Sequence, residues 1–190
     1  MERNGTATGP ASAKPNSQKA FETAVTAFKK WVEANPKDDV AFFNLGRTYA
    51  KLIKDDEAEE AFRQAVKLKP DDSEYQTELG TILIRLAKYH EAVGALKKAL
   101  ELDPLSEATL SLYGLALSYN DRSAEAVEVL SRDLGRPPSP GRLTYLGNEL
   151  LEAGQATDAL ATFRQLPEGA ARLQALARAL ALTSGSYLAI

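Results

Sequence analysis

Several features that are common in proteins are missing or scarce in this chain of 190 residues, and each of these gaps excludes a class of function. The chain contains no cysteine, which excludes a disulfide framework, a thiol nucleophile and a thiolate metal site. This absence fits a reducing cytoplasm and an oxidising periplasm equally well. The sole histidine is His90, and it is predicted to be a solvated surface residue because zinc needs several convergent ligands.

Long apolar runs and a strong positive charge are also absent. No apolar stretch approaches the ~20 residues that a membrane-spanning helix needs, and the N-terminus shows no apolar signal-peptide core. The net charge is -3, whereas a general nucleic-acid binder needs a basic face for the phosphates. We therefore expect no direct membrane insertion and no nucleic-acid partner. The expected location is cytoplasmic, with a periplasmic or membrane-tethered location as the alternative if the chain is a fragment.

The sequence offers no chemistry for catalysis. The acidic run Asp55-Asp56-Glu57 with Glu59-Glu60 is predicted to place negative charge at a helix N-terminus, where the helix dipole favours it, rather than to hold a cation. Glu74 and Glu78 lie one helical turn apart, but nothing distinguishes them from a solvated face. No glycine-rich phosphate loop follows a strand, because no strand is predicted. We therefore predict a non-enzyme with no catalytic residue, no cofactor and no metal site.

A segment of 34 residues recurs along the chain. The positions that keep this step are Pro36, Pro70, Pro104 and Pro138, then Ala24, Ala58, Ala92 and Ala126, and then Gly46, Gly80 and Gly114. A period in this range indicates stacked repeats, each of which contacts mainly its neighbours.

Each period contains two helical stretches joined by a turn. In residues 39–72, the apolar positions are Phe42, Leu45, Tyr49 and Leu52 in the first stretch and Ala58, Phe62, Ala65 and Val66 in the second. Asp55 is predicted to cap a second helix, whereas Asp72 with Ser73, and then Ser106, are predicted to cap first helices. Helices of about 13 residues are too short to be stable alone in water, so each must bury an apolar face against its neighbours.

These residues resemble the tetratricopeptide repeat (TPR) family, whose 34-residue unit has Leu-Gly and Tyr in its first helix and Ala, Phe, Ala and Pro in its second. Residues 39–72 carry nearly the whole pattern: Leu45-Gly46, Tyr49, Ala58, Phe62, Ala65 and Pro70. Three departures occur later: Asp133 replaces a small residue, one residue is lost near Pro-Pro-Ser-Pro at 137–140, and the fourth repeat lacks its closing proline. The resemblance implies an all-α, right-handed α-solenoid (TPR superhelix) of about ten helices in antiparallel pairs.

The same pattern predicts the organisation of the chain as a single TPR array over 17–183. Its parts are a flexible N-terminal segment 1–16, a half repeat 17–36, repeats 39–72, 73–106, 107–139 and 140–167, a terminal helix 168–183 and a C-terminal tail 184–190. The sequence Ser184-Gly185-Ser186-Tyr187 resembles the turn that precedes a second helix. The half repeats at the two ends fit either natural capping helices or the edges of a longer array.

The resemblance implies that the first helix of each repeat lines a concave inner surface. The predicted partner-binding residues on it are Asn44, Arg47, Lys51, Thr77, Glu78, Thr81, Arg85, Leu112, Leu115, Tyr119, Tyr145 and Asn148. Leucine and tyrosine there suit the anchoring of an apolar side chain, although Leu112 and Leu115 have packing under the next helix as their alternative. The chaperone type of TPR domain, which grips an acidic C-terminal tail, is rejected because Glu74 and Glu78 would meet its carboxylate with the wrong sign.

The sequence thus predicts a non-enzymatic protein–protein interaction scaffold, an adaptor that holds a peptide or helix of a partner protein in its concave groove. The apolar inner surface of the third repeat favours this function. The alternative is an assembly subunit that self-associates as a homo-oligomer, or docks in a membrane-tethered complex, through its terminal helices or convex face. The uncovered face of helix 17–34 favours the alternative.

Overall fold

The computed structural model describes residues 15–132, 135 and 137–187, and within them it contains ten α-helices and no strand. The helices are α1 (Pro15–Ala34), α2 (Asp39–Lys51), α3 (Asp55–Leu68), α4 (Ser73–Arg85), α5 (Tyr89–Leu102), α6 (Glu107–Tyr119), α7 (Ser123–Leu130), α8 (Pro140–Glu152), α9 (Ala156–Phe163) and α10 (Ala170–Tyr187). The predicted all-α class is confirmed. The chain divides into two compact units, Met1–Leu68 and Lys69–Ile190, hereafter the N-terminal and C-terminal units.

In the N-terminal unit, α2 packs against both α1 and α3. The residues of the repeat pattern on α3, Ala58, Phe62 and Ala65, are fully buried. The ring of Phe62 lies 5.6 Å from the ring of Phe43 on α2, centroid to centroid. An aromatic pair at this separation adds stability beyond that of its buried apolar area. This contact therefore stabilises the pairing of α2 with α3.

In the C-terminal unit, α4 pairs with α5, α6 with α7 and α8 with α9, while α10 packs on α9. The first helices of these pairs also contact one another, α4 with α6 and α6 with α8. The largest fully buried side chains of this unit are Ile82, Leu83, Leu96, Leu110, Leu117, Leu130 and Phe163. The core therefore runs between successive helices, as the repeat pattern predicts.

A glycine on the first helix of each pair touches a large side chain on the second. A Cβ placed on Gly80 would lie 2.5 Å from Cγ of Leu96, and one on Gly114 would lie 2.5 Å from Cγ of Leu130. Gly46 faces Phe62 and Gly147 faces Phe163 in the same way. The recurring glycine is thus required by the space that the partner side chain fills.

The first helices α2, α4, α6 and α8 are capped by side chains, whereas α5, α7 and α9 have no side-chain cap. Asp38, Asp72, Ser106 and Ser139 accept hydrogen bonds from backbone N–H groups of α2, α4, α6 and α8. Asp38 also accepts the indole N–H of Trp31 at 2.7 Å. This bond, and then the N–H of Ala41, hold the pKa of Asp38 below its ordinary value. The predicted cap at Asp55 is wrong, because Asp55 is itself the first residue of α3.

The turn inside each pair places one residue in the left-handed backbone region. These residues are Ile53, Ala87, Asp121 and Gly154, with φ of 58°, 56°, 57° and 74°. They recur at the repeat step, and only the fourth is a glycine, which adopts this conformation at no steric cost. Ile53 is the most unfavourable of the four because it is β-branched.

Helices α7 and α9 have eight residues each, so the predicted length of about 13 residues is wrong for them. The end of α7 is fixed by a buried arginine from the next pair: Arg142 Nε donates to the carbonyl of Leu130 at 2.8 Å, and Nη2 donates to the carbonyl of Arg132. A cation bound to the last carbonyls of a helix satisfies them and complements the helix dipole. After α9, Pro167 prevents continuation of the helix.

The ends of the array differ from the prediction. Helix α1 begins at Pro15, so the last two residues of the predicted flexible segment 1–16 are helical, while residues 1–14 lie outside the described residues, as does Asp133. Helix α10 continues to Tyr187, so the predicted turn at Ser184–Tyr187 is wrong. Serine and glycine lower helix propensity, but they keep the backbone N–H that proline lacks. Residues 188–190 of the predicted tail lie outside the described residues.

A matched pair of glycine variants tests the close helix contact. Gly80→Ala is expected to lower the free energy of unfolding by about 1–3 kcal/mol through overpacking against Leu96. Gly94→Ala, at an exposed position of α5 with no atom within 4 Å of its Cβ, is expected to raise it by about 0.5–1 kcal/mol, because alanine is the better helix former. Denaturant unfolding followed by circular dichroism measures both, and equal effects of the two variants would contradict the contact.

A second pair tests the strain in the turns. Ile53 is 79% exposed, so Ile53→Gly removes little packing and is expected to raise the free energy of unfolding by about 1 kcal/mol. Gly154→Ala is expected to lower it by about the same amount, since alanine at positive φ is strained. Thermal or denaturant midpoints give the signs, and a destabilised Ile53→Gly variant would show that the isoleucine makes a contact worth more than its strain.

Candidate functional site

The candidate site of the C-terminal unit is a wall made of the first helices α4, α6 and α8, hereafter the first-helix wall. Polar contacts tie its helices together. The hydroxyls of Thr77 on α4 and Thr109 on α6 lie 3.0 Å apart, and Ser118 on α6 donates to Oε1 of Glu149 on α8 at 2.5 Å. Glu107 at the start of α6 accepts the backbone N–H of Ser139. The wall is therefore built on rigid elements that hold its surface side chains in place.

Nine of the predicted partner-binding residues belong to this wall. Those that are half-buried are Thr77, Glu78, Thr81, Leu112, Leu115 and Asn148, and those that are exposed are Arg85, Tyr119 and Tyr145. The hydroxyls of Thr77 and Thr81 donate to carbonyls one turn earlier on α4, those of Ser73 and Thr77. These two threonines therefore use their hydroxyl protons within α4 and offer mainly acceptor oxygens and methyl groups.

The aromatic side chains of the wall are its most exposed apolar elements. Tyr119 is the last residue of α6 and is 53% exposed. Its ring is tilted against that of Tyr89, with 4.9 Å between the ring centroids. The sequence pattern did not predict this contact, because Tyr89 is the first residue of α5 and belongs to the preceding repeat. The spacing of 30 residues gives no local signal, so packing of the repeats creates the contact.

Glu149 was not among the predicted site residues. Its side chain is buried, and Oε2 has no hydrogen-bond partner among the described residues. The matching positions in the earlier repeats hold Thr48, Ile82 and Ala116, so a carboxylate is peculiar to the fourth. That comparison between repeats is the signal that could have identified it. Burying a carboxylate is costly unless it is hydrogen-bonded. The bond from Ser118 therefore stabilises Glu149 and makes the contact between α6 and α8 partly polar.

The N-terminal unit holds the other three predicted residues, all on α2. Asn44 is half-buried, and Arg47 and Lys51 are exposed. The Arg47 guanidinium carbon lies 5.7 Å from the ring centroid of Phe43, within the range of a cation–π contact. This contact orients the guanidinium along the helix surface, where it presents donors suited to a carbonyl or carboxylate.

Over residues 15–132, 135 and 137–187, no group of three or more His, Cys, Asp or Glu side chains is placed to hold a metal ion. His90 is exposed, as predicted. None of the described helices combines the length and the apolar character needed to cross a membrane.

Two family models match the chain. Residues 17–79 match a model described as tetratricopeptide repeat, and residues 63–151 match one described as bacterial transcriptional activator domain. Among curated proteins, none matches the sequence.

Solved structures similar to this chain include three that cover most of it. PilW, described as a widely conserved type IV pilus biogenesis factor, is 25% identical with a TM-score of 0.72, over 90% of this chain and 84% of that chain. MamA (41-end) from Desulfovibrio magneticus RS-1 is 19% identical with a TM-score of 0.72, over 86% and 92%. A thermophilic TPR protein from Thermus thermophilus is 22% identical with a TM-score of 0.62, over 88% and 93%.

The likenesses to solved structures concern the fold, and the family match covers the first repeats. They agree with the 34-residue step of the sequence and with the contact between a glycine and a large side chain in every helix pair. Residues 17–79 are therefore similar in sequence to tetratricopeptide repeats, and the described helices have the fold of the solved tetratricopeptide-repeat structure from Thermus thermophilus.

Proposed function

We propose that this protein is a non-enzymatic scaffold whose first-helix wall binds a short segment of a partner protein, either an extended peptide or a helix. Tetratricopeptide repeats serve as protein-interaction repeats, and the first-helix side is the inner surface that the resemblance implies. The single observation that carries the proposal is the exposure of Tyr119 and Tyr145 on adjoining first helices of one compact unit.

The aromatic side chains supply the apolar part of the proposed contact. Tyrosine offers a large contact area and loses little conformational entropy on binding, because it has two side-chain torsions. Tyr119 is further restricted by its contact with Tyr89. Leu112 and Leu115 remain half-buried on α6, so they add partly covered apolar surface on the same helix as Tyr119. A preorganised apolar surface of this kind suits an apolar side chain of the partner.

Polar side chains supply the contacts to the partner's backbone or to its charged groups. Asn148 on α8 carries both a donor and an acceptor, as a peptide backbone requires. Arg85 at the end of α4 presents a planar set of donors. In the N-terminal unit, Asn44, Arg47 and Lys51 of α2 have the same chemistry and are proposed as further polar contacts.

An assembly subunit is the second candidate, and the surface of α10 favours it. Leu173, Leu180 and Leu182 of α10 are all exposed. Leu173 and Leu180 lie seven residues apart, which places them on one face of the helix. Exposed apolar residues that share one helix face suit an interaction surface. This role requires self-association or an obligate partner that covers α10.

Two variants, each with two alanine substitutions, distinguish the two candidate functions. Tyr119→Ala with Tyr145→Ala is expected to abolish capture of the partner from the source cell while leaving helical content unchanged. An anchor truncated to alanine weakens binding by about 2 kcal/mol, or about thirtyfold. Leu173→Ala with Leu180→Ala is expected to retain the full partner set. Affinity capture with mass spectrometry measures both, and size-exclusion chromatography with light scattering gives the oligomeric state.

The opposite pattern would favour the assembly role. If the α10 variant loses partners or dissociates an oligomer while the tyrosine variant keeps every partner, the first-helix wall is not the working surface.

A further inference from the structure

The N-terminal unit contains an open cleft on a different set of helix faces from the residues discussed above. It lies between α1 and α3 over one side of α2, and it encloses about 340 Å³. That volume is at the lower end of the range for ligand pockets, roughly 300–1,000 Å³. The residues of α2 that line it are Phe42, Leu45 and Tyr49, whereas the proposed contacts of α2 are Asn44, Arg47 and Lys51.

The floor of the cleft is apolar and its rim is acidic. Val32 from α1 and Phe42 and Leu45 from α2 form the floor. The charged residues that line it are Lys29 and Glu33 from α1 and Glu57 and Glu60 from α3. All four are exposed, and among the described residues none of them forms an ion pair. Three carboxylates and one ammonium give the rim a formal charge of -2.

Tyr49 supplies an observation that does not depend on the rim charge. It is only 8% exposed and lines the cleft, yet its hydroxyl forms no hydrogen bond with any described residue. The oxygen is not among the buried atoms that lack a partner, so it lies where the cleft opens. The matching residues of the later repeats are Leu83, Leu117 and Leu150, all buried. Packing at this position therefore needs no hydroxyl, and the oxygen of Tyr49 is available to a group that enters the cleft.

We infer that this cleft binds a segment of a partner protein that carries a lysine or arginine side chain next to a bulky apolar side chain. The apolar side chain fills the floor over Phe42 and Leu45, where its burial is favourable. The cationic group reaches the carboxylates of Glu33, Glu57 and Glu60, which give the rim its negative charge. The Tyr49 hydroxyl accepts a hydrogen bond from the cation.

The chemistry of the cleft selects this occupant over others. An anionic segment would meet three carboxylates and a single lysine. A bare metal ion would leave the apolar floor unused. A wholly apolar segment would leave the Tyr49 hydroxyl buried without a partner, which is unfavourable. An amphipathic cationic segment satisfies the floor, the hydroxyl and the rim together.

Selection from a random dodecapeptide library displayed on phage tests the inference without knowledge of the natural partner. The library is first depleted on the variant Glu33→Gln/Glu57→Gln/Glu60→Gln and then selected on the wild-type chain. We expect enriched peptides that carry lysine or arginine next to leucine, isoleucine, methionine or phenylalanine. Absence of enrichment after depletion, or enrichment of peptides without a basic residue, would overturn the inference.

Affinities of one enriched synthetic peptide, measured by fluorescence anisotropy, locate its site. Binding is expected to weaken about tenfold in the triple glutamine variant and about threefold in Tyr49→Phe, because charged and neutral hydrogen bonds are lost. Lys29→Gln is expected to strengthen it by about threefold, since the competing cation is removed. If these residues only support the fold, Lys29→Gln is expected to bring no gain in peptide affinity.

Two controls complete the design. Glu128→Gln/Asp158→Asn/Glu168→Gln removes the same charge from exposed positions of the C-terminal unit and is expected to leave affinity unchanged. The variant Tyr119→Ala/Tyr145→Ala is expected to bind the peptide with wild-type affinity. If either control weakens binding as much as the triple glutamine variant does, the peptide does not occupy the cleft and the inference fails.

Discussion

The contact between a glycine on a first helix and a large side chain on the second is the constraint on which the rest of this structure depends. Gly46 meets Phe62, Gly80 meets Leu96, Gly114 meets Leu130 and Gly147 meets Phe163. A side chain at any of these glycines would separate the two helices of its pair. Because protein interiors are close-packed, that separation would also expose the apolar residues buried between successive pairs.

Close pairing of the helices also decides which surfaces are available for binding. The repeat pattern commits most apolar positions of the paired helices to their neighbours, so other positions of the first helices remain at the surface. On α6 and α8 these positions carry Tyr119 and Tyr145. Between α1 and α3, the same packing leaves a cleft with an apolar floor, an acidic rim and the hydroxyl of Tyr49. One scaffold thus presents two surfaces of different chemistry.

Departures from the regular repeat are concentrated in its second half. Helices α7 and α9 are shortened to eight residues, and the buried guanidinium of Arg142 binds the carbonyl oxygens that a longer α7 would have bonded itself. Glu149 introduces a buried carboxylate between α6 and α8. Buried polar groups of this kind favour one geometry of contact over others, because a shifted helix would leave them without partners.

The sequence by itself determined the all-α class, the repeat step and the capping of first helices by Asp72 and Ser106, since each depends on residues close together in the chain or on a regular period. It also placed Gly46, Gly80 and Gly114 at the repeat step. Only the tertiary structure decided the contact of Tyr119 with Tyr89, the end of α7 at Arg142, the continuation of α10 to Tyr187 and the cleft around Tyr49. These features arise between residues far apart in sequence, or from how much space the packed helices leave, and no local pattern encodes that space.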